Sequence, residues 1–143
     1  MLSVEEALSR VLALIRELPV TEVPLLEADG LTLAQDVYAP FPVPGLANSA
    51  MDGYAIRAED VSSATETTPV TLRVVGQVQA GQIPSTEVKA GSALRIMTGA
   101  PVPTGADAIV PWEATDEPER RGSPISEIRI KATANPGDHV RPA

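Results

Sequence analysis

Proline sets the first limit on this chain. Fourteen prolines are spread through 143 residues, about twice the usual share. Each fixes φ and removes a backbone donor, so regular helix and central strand cannot run through it. The chain must therefore be built from short elements joined by stiff loops. The densest cluster, Pro40-Phe41-Pro42-Val43-Pro44-Gly45, is read as an extended arm that divides the chain. Residues 1–45 form an N-terminal helix and arm, and residues 46–143 a second region.

The N-terminal region opens on Ser3-Val4-Glu5-Glu6. Ser at the N-cap and Glu at N3 make a capping box, so a helix starts here. Leu8, Val11, Leu12, Ile15 and Leu18 recur at helical spacing, and Pro19 ends the run. The spacing predicts an amphipathic helix of about 15 residues, roughly 22 Å long. Thr21 to Ala28 reads as extended, with Pro24 marking an edge, and Asp29-Gly30 as a turn. Leu31 to Val37 stays open between strand and helical turn.

The second region reads as β. Pro69 to Gln79 is the clearest strand, with Val70, Leu72, Val74 and Val78 on one face and a bulge expected at Gly76. Ser92 to Thr98 is another, with Leu94 and Ile96 opposite Arg95 and Met97. Ala108 to Trp112 and Ile125 to Lys131 complete the set. Asp116 to Gly122 reads as a charged, solvated loop. Val140 reads as the start of an element that the chain does not continue, and we expect a longer natural protein. The fold class is α+β, mainly β: an amphipathic helix and extended arm, then a small barrel-like domain of short strands. Aromatics are limited to Tyr38, Phe41, Tyr54 and Trp112, so the core must be aliphatic.

Charge and cysteine narrow the function. A net charge of -8 argues against a nucleic-acid partner. With no cysteine there is no disulfide frame and no thiolate metal site. No apolar run is long enough to span a membrane, and Glu5 and Glu6 stand where a signal peptide carries positive charge. The expected location is the cytoplasm.

Two stretches carry candidate chemistry. In Asn48-Ser49-Ala50-Met51-Asp52-Gly53-Tyr54-Ala55-Ile56-Arg57, an Asp-Gly pair precedes a short alternating strand. The pair is expected in a tight turn, with Gly53 free to take φ > 0. Asp52 is thus presented on a turn; the competing reading is an ordinary hairpin. In Arg95 to Ala108, a strand runs into a loop of two glycines and two prolines. Such a loop can aim N–H groups and the Thr98 hydroxyl at an anion. The competing reading is a stiff connection. Asp52, Asp107, Glu113 and Asp138 are candidate Mg²⁺ ligands, with surface charge favoured for Asp107 and Glu113. His139, the only histidine, reads as a surface residue. No Ser-His-Asp set, zinc spacing, P-loop or dinucleotide glycine pattern is present.

Four stretches together resemble the molybdopterin molybdenumtransferases, the family of the bacterial MoeA proteins and the C-terminal domain of gephyrin. They are Leu33 to Val37, Asn48 to Val61, Gln79-Ala80-Gly81, and RIMTGAPVPTGADAIVPWE from Arg95 to Glu113. The resemblance is to the N-terminal part of a longer chain, which continues into a MogA-like domain and a C-terminal barrel. It implies an enzyme that joins molybdate to adenylylated molybdopterin, uses Mg²⁺ and releases AMP. It implies a homodimer whose cleft lies between the MogA-like domain of one subunit and the β region of the other. Asp52 and Thr98 match positions lining that cleft and are the catalytic candidates. Ser49, Gly53 and Gly99 are the substrate-binding candidates. No metal ligand is assigned within this chain. A non-catalytic scaffold of the same family is the alternative. A stand-alone Mg²⁺-dependent phosphohydrolase is a third reading, weakened by the few clustered acids.

Overall fold

The structure is a computed structural model that describes residues 2–120 and 125–143. It divides into two compact units, Met1–Tyr38 and Ala39–Ala143. The division falls at the head of the proline-rich arm, so residues 39–45 group with the β unit and not with the helix.

In the first unit, helix α1 spans Val4–Leu12. The capping box forms as expected: the Glu6 N–H donates to Ser3 Oγ (3.1 Å) and the Ser3 N–H to Glu6 Oε2 (3.2 Å). The helix is shorter than its spacing predicts, stopping six residues before Leu18. It buries no residue, so packing adds nothing to extend it, and a helix this short is marginal by itself. Thr21 to Ala28 is not a strand; Leu25–Glu27 forms one 3-10 turn after Pro24. Asp29-Gly30 is a turn, with Gly30 at φ 79°. No helix among the described residues is long and apolar enough to cross a membrane.

The second unit is a curled sheet of five strands: β2 (Gly53–Ile56), β3 (Val70–Val78), β4 (Ser92–Ile96), β5 (Ala108–Pro111) and β6 (Glu127–Ile130). Their order is β5-β2-β4-β3-β6, antiparallel except for the β3–β4 pair. A second small ladder joins β1 (Asn48–Ser49) to β7 (Val140–Arg141). The element that begins at Val140 is thus a two-residue strand with its partner in this same unit.

The five-stranded sheet curls, though its edge strands β5 and β6 do not pair with each other. Beyond β5 the chain turns through Trp112–Ala114 and bridges to β6, Thr115 against Ile130. The Lys131 N–H donates to the Ala114 carbonyl (2.9 Å) and the Asp116 N–H to that of Arg129 (3.1 Å). Inside the curl lie Tyr54, Ile56, Leu72, Ala93, Val110, Ile128 and Ile130. A second cluster contains Ala55, Val78, Val88, Leu94, Ile96, Ala100 and Ile109. Tyr54 is the one aromatic among these buried side chains, as the composition required.

β3 corrects one expectation. Its apolar residues do not share a face: Val70, Leu72 and Val74 pack in the first cluster, Val75 and Val78 in the second. The register shifts between Val74 and Gln77, the bulge that Gly76 signalled. An extra residue there turns the strand over, because side chains alternate strictly only in an unbroken pleat.

The charged run at Asp116 is a second correction. Asp116 is 1% exposed. Its Oδ2 accepts from Arg120 Nε (2.8 Å) and Arg129 Nε (3.0 Å), and its Oδ1 from the Arg129 N–H (2.9 Å). Arg120 also donates to the Glu127 carbonyl (2.7 Å). The carboxylate pins the closing edge to β6 and is not solvated. Residues 121 and 122 of that run lie outside the described residues. Burial opposes ionisation of Asp116, but the Arg129 and Arg120 donors outweigh it and hold its carboxyl below the ordinary range.

Two outcomes follow. Amides of Glu6 to Leu12 should exchange faster with solvent than those of Leu72 to Val78, since α1 buries nothing and β3 lies between two strands. Asp116→Asn should cost about 2–3 kcal/mol in urea unfolding, the scale of lost charged hydrogen bonds. The lowered folded value also fixes a sign. The wild-type contribution is complete above the unfolded value of 3.8 and is lost as pH falls through the lower folded value. Between 3.8 and that lower value, stability should therefore fall more steeply with falling pH in the wild type than in Asp116→Asn.

Candidate functional site

The site grows from the start of β2. Gly53 pairs with Ile96 of β4 on one side and with Pro111 of β5 on the other. One step earlier in both ladders, Asp52 meets the end of β4 and the end of β5. Its carbonyl accepts from the Trp112 N–H (3.2 Å). Its Oδ1 accepts from both the Thr98 N–H (2.7 Å) and the Thr98 hydroxyl (2.7 Å). The two catalytic candidates, 46 residues apart in sequence, are therefore joined by two hydrogen bonds. Asp52 is exposed, and its Oδ2 takes no hydrogen bond or ion pair among the described residues. The Thr98 N–H first, then its hydroxyl, with the Arg95 charge adding, hold the Asp52 carboxyl below the ordinary range. Asp52 is an anion at neutral pH.

The other three candidates sit in the scaffold around this pair. Ser49 is fully buried. Its hydroxyl donates to the Met51 carbonyl (2.6 Å) and accepts from the Met51 N–H (3.3 Å), which shapes the bend before Asp52. Gly99 has φ 81° and donates its N–H to the Ser49 carbonyl (2.8 Å). Gly53 is not at positive φ, contrary to the Asp-Gly turn reading. It is the first residue of β2, and a Cβ there would lie 2.1 Å from the Val110 carbonyl oxygen. Glycine is required for close approach of two strands, not for a turn.

The loop after β4 is stitched to β1. The Ser49 N–H donates to the Ala100 carbonyl (2.9 Å) and the Val102 N–H to that of Ala47 (3.0 Å). The Ala100 N–H donates to the Met97 carbonyl (3.0 Å). The N–H groups of Thr98, Gly99, Ala100 and Val102 are thus all used within the fold, and so is the Thr98 hydroxyl. The expected cradle of backbone donors for an anion is not open at these residues. What the loop does, through Thr98, is orient the Asp52 carboxylate.

The remaining acids do other work. Asp107 Oδ1 accepts from the Ala58 N–H (2.7 Å), capping the 3-10 turn after β2. Asp138 Oδ2 accepts from the Asn135 N–H (2.7 Å). Glu113 is exposed. No three Asp, Glu or His side chains cluster as a metal site among the described residues. His139 is exposed at φ 56°, and its carbonyl accepts from the Ala50 N–H (2.8 Å), bracing the Asp52 bend through backbone alone.

Sequence reasoning missed Arg95, Glu117 and Tyr54 as a group. Arg95 grips Glu117 through Nε (3.1 Å) and Nη2 (3.1 Å), lies 5.3 Å over the Tyr54 ring, and donates to the Gly53 carbonyl (3.1 Å). The Tyr54 hydroxyl donates to Glu117 Oε2 (2.8 Å). Burial and the Glu117 carboxylate push the Tyr54 hydroxyl well above its ordinary value. The one local signal was Arg95 on the strand face opposite Leu94 and Ile96. Its partner is 22 residues away.

Comparison with known proteins gives the family. The family described as MoeA N-terminal region (domain I and II) matches residues 2–143. The chain belongs to the MoeA family. Within it, the chain corresponds to the N-terminal region, domains I and II. It is 50% identical over 123 residues to molybdopterin molybdenumtransferase 2 of Mycobacterium tuberculosis, covering 86% of this chain and 29% of that one. It is 45% identical over 115 residues to the molybdopterin molybdenumtransferase of Synechococcus elongatus, covering 78% and 28%. A crystal structure of the molybdopterin biosynthesis MoeA protein of Pyrococcus horikoshii OT3 matches with a TM-score of 0.78 and 37% identity, over 96% of this chain and 35% of that one. The chain spans less than a third of the length of the two curated relatives.

The close approach at Gly53 gives a direct test. Gly53→Ala should force β2 and β5 apart and destabilise the β unit by about 3 kcal/mol, the upper range for overpacking against rigid backbone. Gly45→Ala is the control, since its nearest contact would be an ordinary 4.0 Å; its urea midpoint should stay close to wild type.

Proposed function

We propose that this chain forms the N-terminal part of an enzyme of molybdenum cofactor biosynthesis, one that joins molybdate to adenylylated molybdopterin and releases AMP. The family match over residues 2–143 and the names of the relatives support the class. The observation that carries the site is Asp52: an exposed, ionised carboxylate with Oδ1 fixed by Thr98 and Oδ2 open to a ligand.

Mg²⁺ is tested by the donor set. It takes one or two carboxylates and keeps several waters, so Asp52 Oδ2 fits as a single ligand, and further ligands would come from outside the described residues. When bound, the ion would neutralise phosphate and oxyanion charge. Asp52 holds its charge in place without rearrangement, which is the condition for preorganised electrostatic stabilisation. Thr98 orients that carboxylate; its proton is committed to Oδ1, so it does not serve as a donor to substrate. On this reading the working unit is a cytoplasmic homodimer. The β unit of one subunit forms one wall of the cleft, and the rest of the family's chain, from the other subunit, forms the opposite wall.

The test uses this chain joined to the remainder of a family-length protein. Asp52→Asn keeps size and backbone preference and should slow molybdate-dependent AMP release by about 10²-fold or more. Thr98→Val removes one neutral hydroxyl but keeps the N–H bond, and should slow it less. Normal turnover in Asp52→Asn would leave Asp52 as a turn residue only and sink the proposal. Residues 1–143 alone should release no AMP.

A further inference from the structure

Asp52 and Thr98 are each one residue from a group that Arg95 touches. Gly53 follows Asp52, and Arg95 Nη1 donates to the Gly53 carbonyl (3.1 Å). Met97 precedes Thr98, and the same Nη1 donates to the Ile96 carbonyl (3.2 Å) and lies 4.0 Å from Met97 Sδ. One nitrogen thus ties β2 to the end of β4 just where the two functional residues leave their strands. The other two nitrogens are fixed from outside that pair of strands. Nε and Nη2 hold both Glu117 oxygens at 3.1 Å, and the Tyr54 hydroxyl donates to Glu117 Oε2 at 2.8 Å. The guanidinium carbon also lies over the Tyr54 ring, 5.3 Å from its centre.

We infer that Arg95, clamped by Glu117 and Tyr54, is a positioning residue that sets the Asp52–Thr98 pair. This rests on the reading of that pair as the functional wall. The clamp needs a planar fork, since two donors face a carboxylate while a third spans two backbone carbonyls. A lysine carries the same charge on one nitrogen and cannot reach all these acceptors. The arrangement is not core filling: Arg95 and Glu117 are 15% and 21% exposed and border a cavity of about 580 Å³ with Gln77 and Met97 among the described residues.

The experiment is amide hydrogen exchange by NMR on the 143-residue chain at fixed neutral pH. The reporter is the Thr98 amide, bonded to Asp52 Oδ1. The controls are the amides of Val74 and Lys131, bonded to the carbonyls of Ser126 and Ala114 in other parts of the sheet. In Arg95→Lys the Thr98 amide should exchange about tenfold faster or more, with Val74 and Lys131 unchanged. Glu117→Gln, a substitution outside both β2 and β4, should move Thr98 in the same direction and leave the controls slow. A Thr98 amide still protected in Arg95→Lys would mean that charge alone suffices, and would overturn the inference. Equal acceleration of Thr98, Val74 and Lys131 would reduce Arg95 to general stability and overturn it too. If Arg95→Lys does not fold, Glu117→Gln decides by the same criteria. Exchange reads geometry, not turnover. An idle Asp52 in the lengthened enzyme would end the functional reading while leaving this result standing. Where both hold, Arg95→Lys in that enzyme should lower kcat with KM little changed.

Discussion

The unit depends on how closely β2 and β5 approach at Gly53. The Val110 carbonyl occupies the space a side chain would need. That approach seats β2 between β4 and β5 with all four of its residues buried. β2 is consequently the seam between two cores, Tyr54 and Ile56 facing one and Ala55 the other. It also begins at once after Asp52, so the carboxylate emerges where the ends of β4 and β5 converge. A bulkier residue at position 53 would alter packing and site geometry together.

The parts of this arrangement legible in the sequence were those coded by neighbours. The capping box at Ser3 and Glu6 lies within one helical turn, and the alternation of Ile128 and Ile130 within one strand. The Asp52 and Thr98 motifs were recognisable as words, and the structure brings them together. What escaped was set by residues distant in the chain. Gly53 looked like a turn glycine because its true constraint, the Val110 carbonyl, sits across a ladder 57 positions on. The faces of β3 were assigned from a perfect alternation that the bulge interrupts. The length of α1 was read from an apolar stripe, which records what a helix could bury and not whether anything covers it. Asp116 and Glu117 looked solvated because a run of charges gives no hint of its partners. Those partners, Arg129 and Arg95, stand 13 and 22 residues away.

The buried carboxylate of Asp116 and the half-buried one of Glu117 do different things. Asp116 joins the closing edge to β6 and acts on stability. Glu117 reaches across the open end of the curl to Arg95 and acts on β2 and β4. Adjacent residues point to separate tasks because the chain there is a short 3-10 turn after Asp116, which aims successive side chains in different directions.

The donor inventory constrains what this wall can contribute. Every amide from Thr98 to Ala100 bonds to protein, as do Val102 and the Thr98 hydroxyl. Freeing one for a ligand would break a bond that holds the Asp52 turn. The loop therefore cannot grip an anion through those groups and keep Asp52 fixed at once. A fixed Asp52 presents negative charge, which repels phosphate and molybdate unless a cation lies between them. On the proposed reading, then, this wall is a seat for positive charge, and the oxyanion approaches it through that charge. On that same reading, the N–H and side-chain donors for the anion itself would come from the opposing wall.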